Sequence, residues 1–517
     1  MSEFSPFIDH AQGGRMAAAL ERIADAQEGK ASVLSDLEKE IAESFIASRT
    51  GKVFATKIYR YASNTSSAGE RLKDSASLTC AASTDTTEGE DDFADASPIF
   101  RWTRCNYTRD DDGTARPTAL EGSPNYKTTG AYDVGNVYAT FWWNVEHHGT
   151  TYDIYYMADA PHPELGLVPW CEAVKTDGTV LPFYVHSAFA AVTASDGLLR
   201  SQPGMAPAYN NSYNSMITAF QKKGTGYWGA GSERNLWGML MLIIKYATKN
   251  VQKIFNGHVK TAGYSIQVAY AETGVKRVLL ANNNAGFYAG ACISIGSANV
   301  DLGTATSHDI ADRVKILSVE SVTIDSTVYT ALNLELSSTI TTATTYYVKF
   351  FPSFTAETDQ VIGHNDGSYL SNTDGRHPFR ILGTEFAWGQ AIIESNSMSE
   401  KDSNGDWLQY FAPKGTAHVA NAHTGYVLAG KIPASSGDYW SGDIDVDTRG
   451  MMWPSTIGGS DATGTGDRVW EPQSGSAGDL RERYTVGGLG DGSAGGLAAV
   501  ALWLGLSTAH WSSGCCD

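Results

Sequence analysis

The stretch Val486–Gly514 reads VGGLGDGSAGGLAAVALWLGLSTAHWSSG. Eight of its last 28 residues are glycine, against 53 in the 517 residues of the whole chain. Glycine adopts positive φ freely and lets backbones approach closely, so this density predicts a run of tight, rigid turns. Between the glycines stand Leu489, Asp491, Ala501, Trp503, Leu504, Thr508, His510 and Trp511. Only Asp491 and His510 titrate in a useful range. A surface of Leu, Trp and His on rigid turns, poor in acid–base groups, has the composition of a recognition face rather than a reaction centre. Leu502, Leu506 and Trp511 fall where a turn-rich fold needs plugs and are expected in the core.

Outward from this stretch, composition sets limits. Lys and Arg number 38 against 57 Asp and Glu, a net charge of −19. Nucleic-acid phosphates and anionic lipid both require a basic face, so neither is an expected partner. Aromatics make up 11% of residues, too many for a disordered chain. Six cysteines with no C-x-x-C spacing form neither a disulfide framework nor a zinc site. Adjacent Cys515 and Cys516 rarely reach disulfide geometry. Met1–Pro6 has no basic or apolar signal region. The longest apolar runs, Leu236–Ile244 and Leu497–Leu506, are about half of a membrane span, so no membrane insertion is expected.

The hydrophobic pattern divides the chain into four parts and predicts a multidomain, mostly β α+β protein. Residues 1–50 carry helical periodicity, in Met16, Leu20 and Ile23 around Arg15–Ala26 and then in Leu34, Leu37, Ile41 and Phe45. They form either a helical hairpin packed on the next domain or a stalk for assembly or attachment. Residues 51–256 mix strands (Val53–Tyr59, Phe141–Trp143, Tyr152–Tyr156) with one apolar helix over Asn235–Asn250. Residues 257–375 hold β-branched runs, Val314–Val319, Val322–Ile324, Val328–Leu336 and Tyr346–Phe351, and read as a small barrel or sandwich. Residues 376–517 are rich in Gly, Trp and Asp, with strands at Phe379–Gln390 and Gln390–Ser395 and a turn at Asp402–Asp406.

Several motifs imitate chemistry but read better as structure. Gly490-x-Gly492-x-x-Gly495 has the letters of a dinucleotide fingerprint, yet 22 residues after Gly495 leave no room for a βαβ unit. Asp110–Asp112 precede a glycine as in a solvated turn. Asp402, Asn404 and Asp406 start like an EF-hand, but position 12 would be Pro413. Asp443, Asp445 and Asp447 alternate along a strand face. His147, His148, His418 and His423 lack zinc-ligand spacing. Ser493 misses the first glycine of a nucleophile elbow. No catalytic constellation, metal site or cofactor is predicted, and the chain does not read as an enzyme.

The 486–514 stretch resembles the variable region of diversity-generating retroelement target proteins, a C-type-lectin-fold family that includes phage tropism determinants. The shared frame falls on Gly487-Gly488, Gly492-Ser493, Gly496-Leu497, Gly505-Leu506 and Ala509-x-Trp511-x-x-Gly514. Phe379–Glu385 resembles the opening strand of that domain, and Trp453-Pro454-x-x-Ile457-Gly458-Gly459 its middle. The segments Arg200–Gly229 and Pro163–Trp170 are similar to those of tail-associated proteins of gut-bacterial phages or prophages. The resemblance implies a C-type-lectin-like domain over 376–517 with a variable region at about 487–516. Its exposed, replaceable positions would be Leu489, Asp491, Ala494, Ala501, Trp503, Leu504, Thr508, His510 and Ser512. It further implies a receptor-binding tail protein, made in the host cytoplasm and carried on the virion. Its expected partners are a bacterial surface glycan or protein and other tail or baseplate proteins, in a homotrimer. Gly495 replaces the usual Ala, and the ending after Gly514 is short, so Cys515 and Cys516 are either variable or poorly paired. The Glu-Pro-Asn and Trp-Asn-Asp elements of calcium lectins are missing. The alternatives are a structural baseplate or fibre component and an oxidase of the formylglycine-generating type, which needs spaced reactive cysteines.

Overall fold

The computed structural model describes residues 34–255, 265–282, 286–370, 372, 375–472, 475–487, 489, 491–510 and 513–517. Ser35 begins helix α1 (Asp36–Ala47). Its Oγ accepts from the Glu38 amide at 3.3 Å, and Glu38 Oε2 accepts from the Ser35 amide at 2.7 Å. Ile41 packs on Tyr107, Val137, Phe183 and Val185, and the buried Glu38 carboxylate pairs with Arg116. This helix therefore packs on the neighbouring sheet. The helix expected around Arg15–Ala26 lies outside the described residues.

Two antiparallel sheets follow. One runs in the order Glu70–Lys73, Val53–Tyr59, Tyr152–Ala158, Trp142–His148, Val168–Pro169. The other runs Ala115–Leu120, Thr103–Arg109, Asp133–Ala139, Phe183–Ser187. Helices α2 (Tyr213–Gln221) and α3 (Ser232–Tyr246) come next. All but one of the fifteen residues of α3 are buried. An amphipathic helix would leave a solvated stripe; one buried all round must run through the middle of a core. Leu236–Ile244 belongs to a single cluster with Phe54, Trp143 and Tyr184 from the first sheets and Phe386, Met452 and Leu497 from the C-terminal part. The polar residues of α3 are paired inside it: Lys245 Nζ reaches Asp91 at 2.9 Å and Asp366 at 2.8 Å. Segments 51–256 and 376–517, expected as separate domains, thus share one core. The physical reason is that α3 is apolar on every side and needs both to cover it.

Residues 266–351 form the separate β unit. Its sheet runs Ile266–Gln267, Tyr347–Phe351, Cys292–Gly296, Ala311–Ile324, Thr327–Leu334, Arg277–Ala281. The first segment also reaches the opposite edge, with the Val268 amide donating to Tyr346 O at 2.9 Å and the Ala269 amide to Leu279 O at 2.8 Å. The sheet curls into a small barrel around Ile293, Ile316, Leu332 and Phe350.

The strand expected over Phe379–Gln390 is instead a hairpin, Phe379–Ile381 with Thr384–Phe386, joined to Gly367–Ser368. Leu382 and Gly383 at its tip both have positive φ, the backbone of a tight two-residue turn. The main C-terminal sheet starts at Ala391–Lys401, which pairs with Trp407–Phe411 and Leu480–Thr485. Val500–Ala501 lies between Leu480–Thr485 and Arg468–Trp470. The Asp402–Asp406 turn forms as expected, with Asp402 Oδ1 accepting the amides of Asn404 at 2.8 Å and Asp406 at 2.9 Å.

Candidate ligand-binding face

The glycine-rich stretch is a chain of turns fixed at its ends by strands. Gly487 and Gly492 have φ of +93° and +55°. Gly496 is needed for closeness: a Cβ there would lie 2.1 Å from Asp467 Oδ1, whose carboxylate accepts the Ala498 amide at 2.8 Å. Leu497, next in the frame, is fully buried against α3 at Gly238. After the short strand Val500–Ala501 the chain leaves the sheet as a loop over 503–510 and returns at Ser513–Gly514, parallel to Ala391–Ile392.

The loop is tied by backbone groups. Leu504 O accepts from Glu482 N at 3.2 Å, Leu506 O from Asn214 N at 3.0 Å and Gly505 O from Thr508 N at 2.9 Å. Trp503 is 47% exposed and meets Trp470 edge-on, with ring centroids 6.1 Å apart. Thr508 is exposed, and Leu504, His510 and Asp491 are half-buried. His510 bridges to Asn211, and burial lowers its pKa while the Asp301 carboxylate opposes that shift. Asp301 belongs to the barrel loop 299–304, which with Lys349 lines a groove of about 510 Å³. Beneath the loop, Glu482 accepts from the Tyr213 amide at 2.7 Å and from the Tyr484 hydroxyl, and burial pushes its pKa up to about 8.

Three of the nine expected positions are not on this face. Leu489 is 1% exposed and packs with the apolar residues of the barrel. Ala494 and Ala501 are buried with Tyr213, Phe220 and Tyr484 in the core under α2. The barrel and α2 come from distant parts of the chain, so local sequence carried no sign that they cover these residues. Ser512 and Trp511 lie outside the described residues. Leu502 and Leu506 are buried, as expected.

The tail also differs from expectation. Cys515 and Cys516 are fully buried. The Ala191 amide donates to Cys515 O and the Ala230 amide to Cys516 O, each at 2.8 Å. Asp517 ends in a buried pair with Lys223, and the Tyr107 hydroxyl donates to its Oδ2 at 3.0 Å. The tail is therefore paired through its backbone and through Asp517. Burial pushes both thiols up, away from thiolate chemistry.

The remaining acidic and histidine motifs have structural partners. Asp443 accepts from Lys249 and the Tyr61 amide, Asp445 pairs with Arg60 and Asp447 with Arg449. Asp112 accepts the Thr114 amide at 2.9 Å, and Asp110 pairs with Arg116. His147 Nδ1 lies 2.7 Å from Asp153, and His423 Nε2 lies 2.6 Å from Glu400. No helix among the described residues is long and apolar enough to cross a membrane. No family model matches the chain, and no curated protein matches it.

Proposed function

We infer that the chain is a receptor-binding protein of a phage or prophage tail, whose loop 503–510 presents replaceable side chains to a bacterial surface glycan or protein. The supporting observation is the partition along the glycine-rich stretch. Leu497 and Leu506 of the frame and the core residue Leu502 are buried, while Trp503, Leu504, Thr508 and His510 reach the surface on backbone-held turns. Such a face binds without bond chemistry: an exposed tryptophan supplies apolar area and its neighbours supply polar contacts. One small loop binds weakly, so attachment draws on several copies, in a homotrimer and on a multi-copy tail.

The test is the double substitution Trp503→Ala with His510→Ala, read by adsorption of the assembled particle to its host and by thermal unfolding. The expected result is lost adsorption with melting nearly unchanged. Retained adsorption with unchanged melting would favour a purely structural baseplate or fibre role. A large fall in melting temperature would place the two residues in the core. A nearby near-repeat of the 3′ coding sequence, differing only opposite adenines, is the matching genomic expectation.

A further inference from the structure

A cavity of about 100 Å³ lies where three parts of the chain meet. Arg109 and His186 approach it from the four-stranded sheet, with Glu172 beside them. The loop 226–234 entering α3 and the loop 412–418 complete it. No residue of the 503–510 loop lines it.

The charges around this cavity do not cancel among themselves. Burial pushes the Glu172 carboxyl up, but His186 and Arg109 outweigh that and hold it below its ordinary value, as a carboxylate. It accepts from His186 Nε2 and from Trp170 Nε1 at 3.0 Å. Glu233 is the reverse case: burial and the neighbouring Glu172 push it up to about 8, so it keeps its proton at neutral pH. Asn396 Nδ2 donates to its Oε1 at 2.8 Å. Asp517 is matched by Lys223, and Arg449 by Asp447. Three cations remain, each donating to a backbone carbonyl. Arg109 Nη1 donates to Gly113 O at 3.0 Å, Arg234 Nη2 to Glu385 O at 2.6 Å and Lys414 Nζ to Glu172 O at 2.7 Å. None of the three forms an ion pair among the described residues. Arg109 Nε and Arg234 Nε are buried with no hydrogen-bond partner, as are His186 Nδ1 and His418 Nδ1.

A buried guanidinium without an anion is expensive, and Arg234 is only 5% exposed, between the rings of Phe386 and Trp388. The half-buried Arg109 borders the same cavity, with the Lys414 ammonium nearby, and the three form a cationic site. The acids beside the three cations are Glu172, Asp112, Glu233 and Asp517, and none of them forms an ion pair with Arg109, Arg234 or Lys414, so these three are free to face an added anion. A guanidinium presents a planar fork that fits a carboxylate in two-point contact. The volume holds several waters or a small molecule of similar size.

We propose that this cavity binds a small organic monocarboxylate, held by Arg109, Arg234 and Lys414. The site is separate from the 503–510 face, so either can fail without the other.

The experiment is isothermal titration of the full chain at pH 7 with sodium acetate, pyruvate and glycolate, against sodium phosphate and against sodium chloride at equal ionic strength. The expected result is saturable binding of at least one monocarboxylate, one per chain, with half-saturation at about 1 mM or tighter. Arg109→Gln and Lys414→Met should each weaken it at least tenfold. Lys414 sits on a half-buried loop, so that variant keeps the test open if Arg109→Gln does not fold. Absence of saturation with all three carboxylates overturns the proposal, as does undiminished binding by Lys414→Met. Tighter binding of phosphate than of every carboxylate overturns the carboxylate assignment.

Discussion

The buried end of the chain gives the sharpest test of how the fold is held. Lys223 Nζ lies 3.2 Å from both oxygens of Asp133 and pairs with Asp517 Oδ2, and all three side chains are at most 2% exposed. Arg200 adds a second cation at 2.9 Å from Asp133. Burial and the nearby Asp517 push Asp133 up to about 8, while Lys223 and Arg109 outweigh the burial of Asp517 and hold it down. Replacing Lys223 by Met removes the ammonium that lies over the Phe220 and Tyr227 rings and takes from the Asp517 carboxylate its ion-pair partner, leaving the Tyr107 hydroxyl, the Asp133 carboxyl and the Arg109 charge. Breaking a buried pair in this way costs about 3–5 kcal/mol. The loss should appear where the tail docks, at the Ala191 and Ala230 amides that donate to Cys515 O and Cys516 O. At about 1.4 kcal/mol per decade, native-state hydrogen exchange at these two amides should accelerate by roughly 10²–10³-fold. Lys223→Met combined with Asp517→Asn removes one charge of each sign and should recover a large part of the protection. A change below about threefold in the single variant would refute the idea that this network holds the tail.

Two further outcomes follow from burial. Leu489→Asp should destabilise the chain by several kcal/mol in urea unfolding, because a carboxylate would enter the barrel core; an exposed variable position would tolerate it almost without cost. The carboxyls of Glu482, Glu233, Asp467 and Glu385 are all raised by burial, the first two to about 8 and the others to about 7. A folded pKa above the unfolded one means that the folded chain retains protons the unfolded chain releases. Stability should therefore fall as pH rises from about 4.5 to about 8 and level off above that. Glu482→Gln should narrow the gap between urea midpoints at pH 5.5 and pH 8; an unchanged gap would show that Glu482 is ionised in the fold.

Much of the local structure was legible because it depends on neighbours in sequence. The apolar run Leu236–Ile244 marked a buried helix, the alternation of Val53–Tyr59 a strand and Asp402–Asp406 a turn, and all three form. What the sequence hid is which surfaces meet. Lys245, on the helix, is paired to Asp91 and Asp366 inside the core, more than a hundred residues away on either side, which no local pattern marks. Leu489, Ala494 and Ala501 looked exposed because they interrupt a glycine frame; the covering elements, the barrel and α2, begin more than a hundred residues earlier. The cationic cavity was hidden for the same reason. Arg109, Arg234 and Lys414 share no local motif, and no pair of them is closer than a hundred residues in sequence.

The same geometry narrows where substitution is cheap. Backbone groups tie the 503–510 loop at Leu504 O, Leu506 O, Gly505 O and the Thr508 amide. These ties do not use side chains, so exchanging the side chains of Trp503, Leu504, Thr508 or His510 leaves them in place. Ala494 and Ala501 differ, because the space above them is filled by Tyr213, Phe220 and Tyr484. Adding even a few methylene groups there forces strain of about 1–3 kcal/mol. Leu489 cannot be exchanged for a polar residue without opening the barrel contact. Replaceability should therefore concentrate at Asp491, Trp503, Leu504, Thr508 and His510, with the buried three restricted to small or apolar residues. A diversified population that carried large polar residues at Ala494 or Ala501 and still bound its host would mean that α2 moves aside, and that the face is larger than the loop.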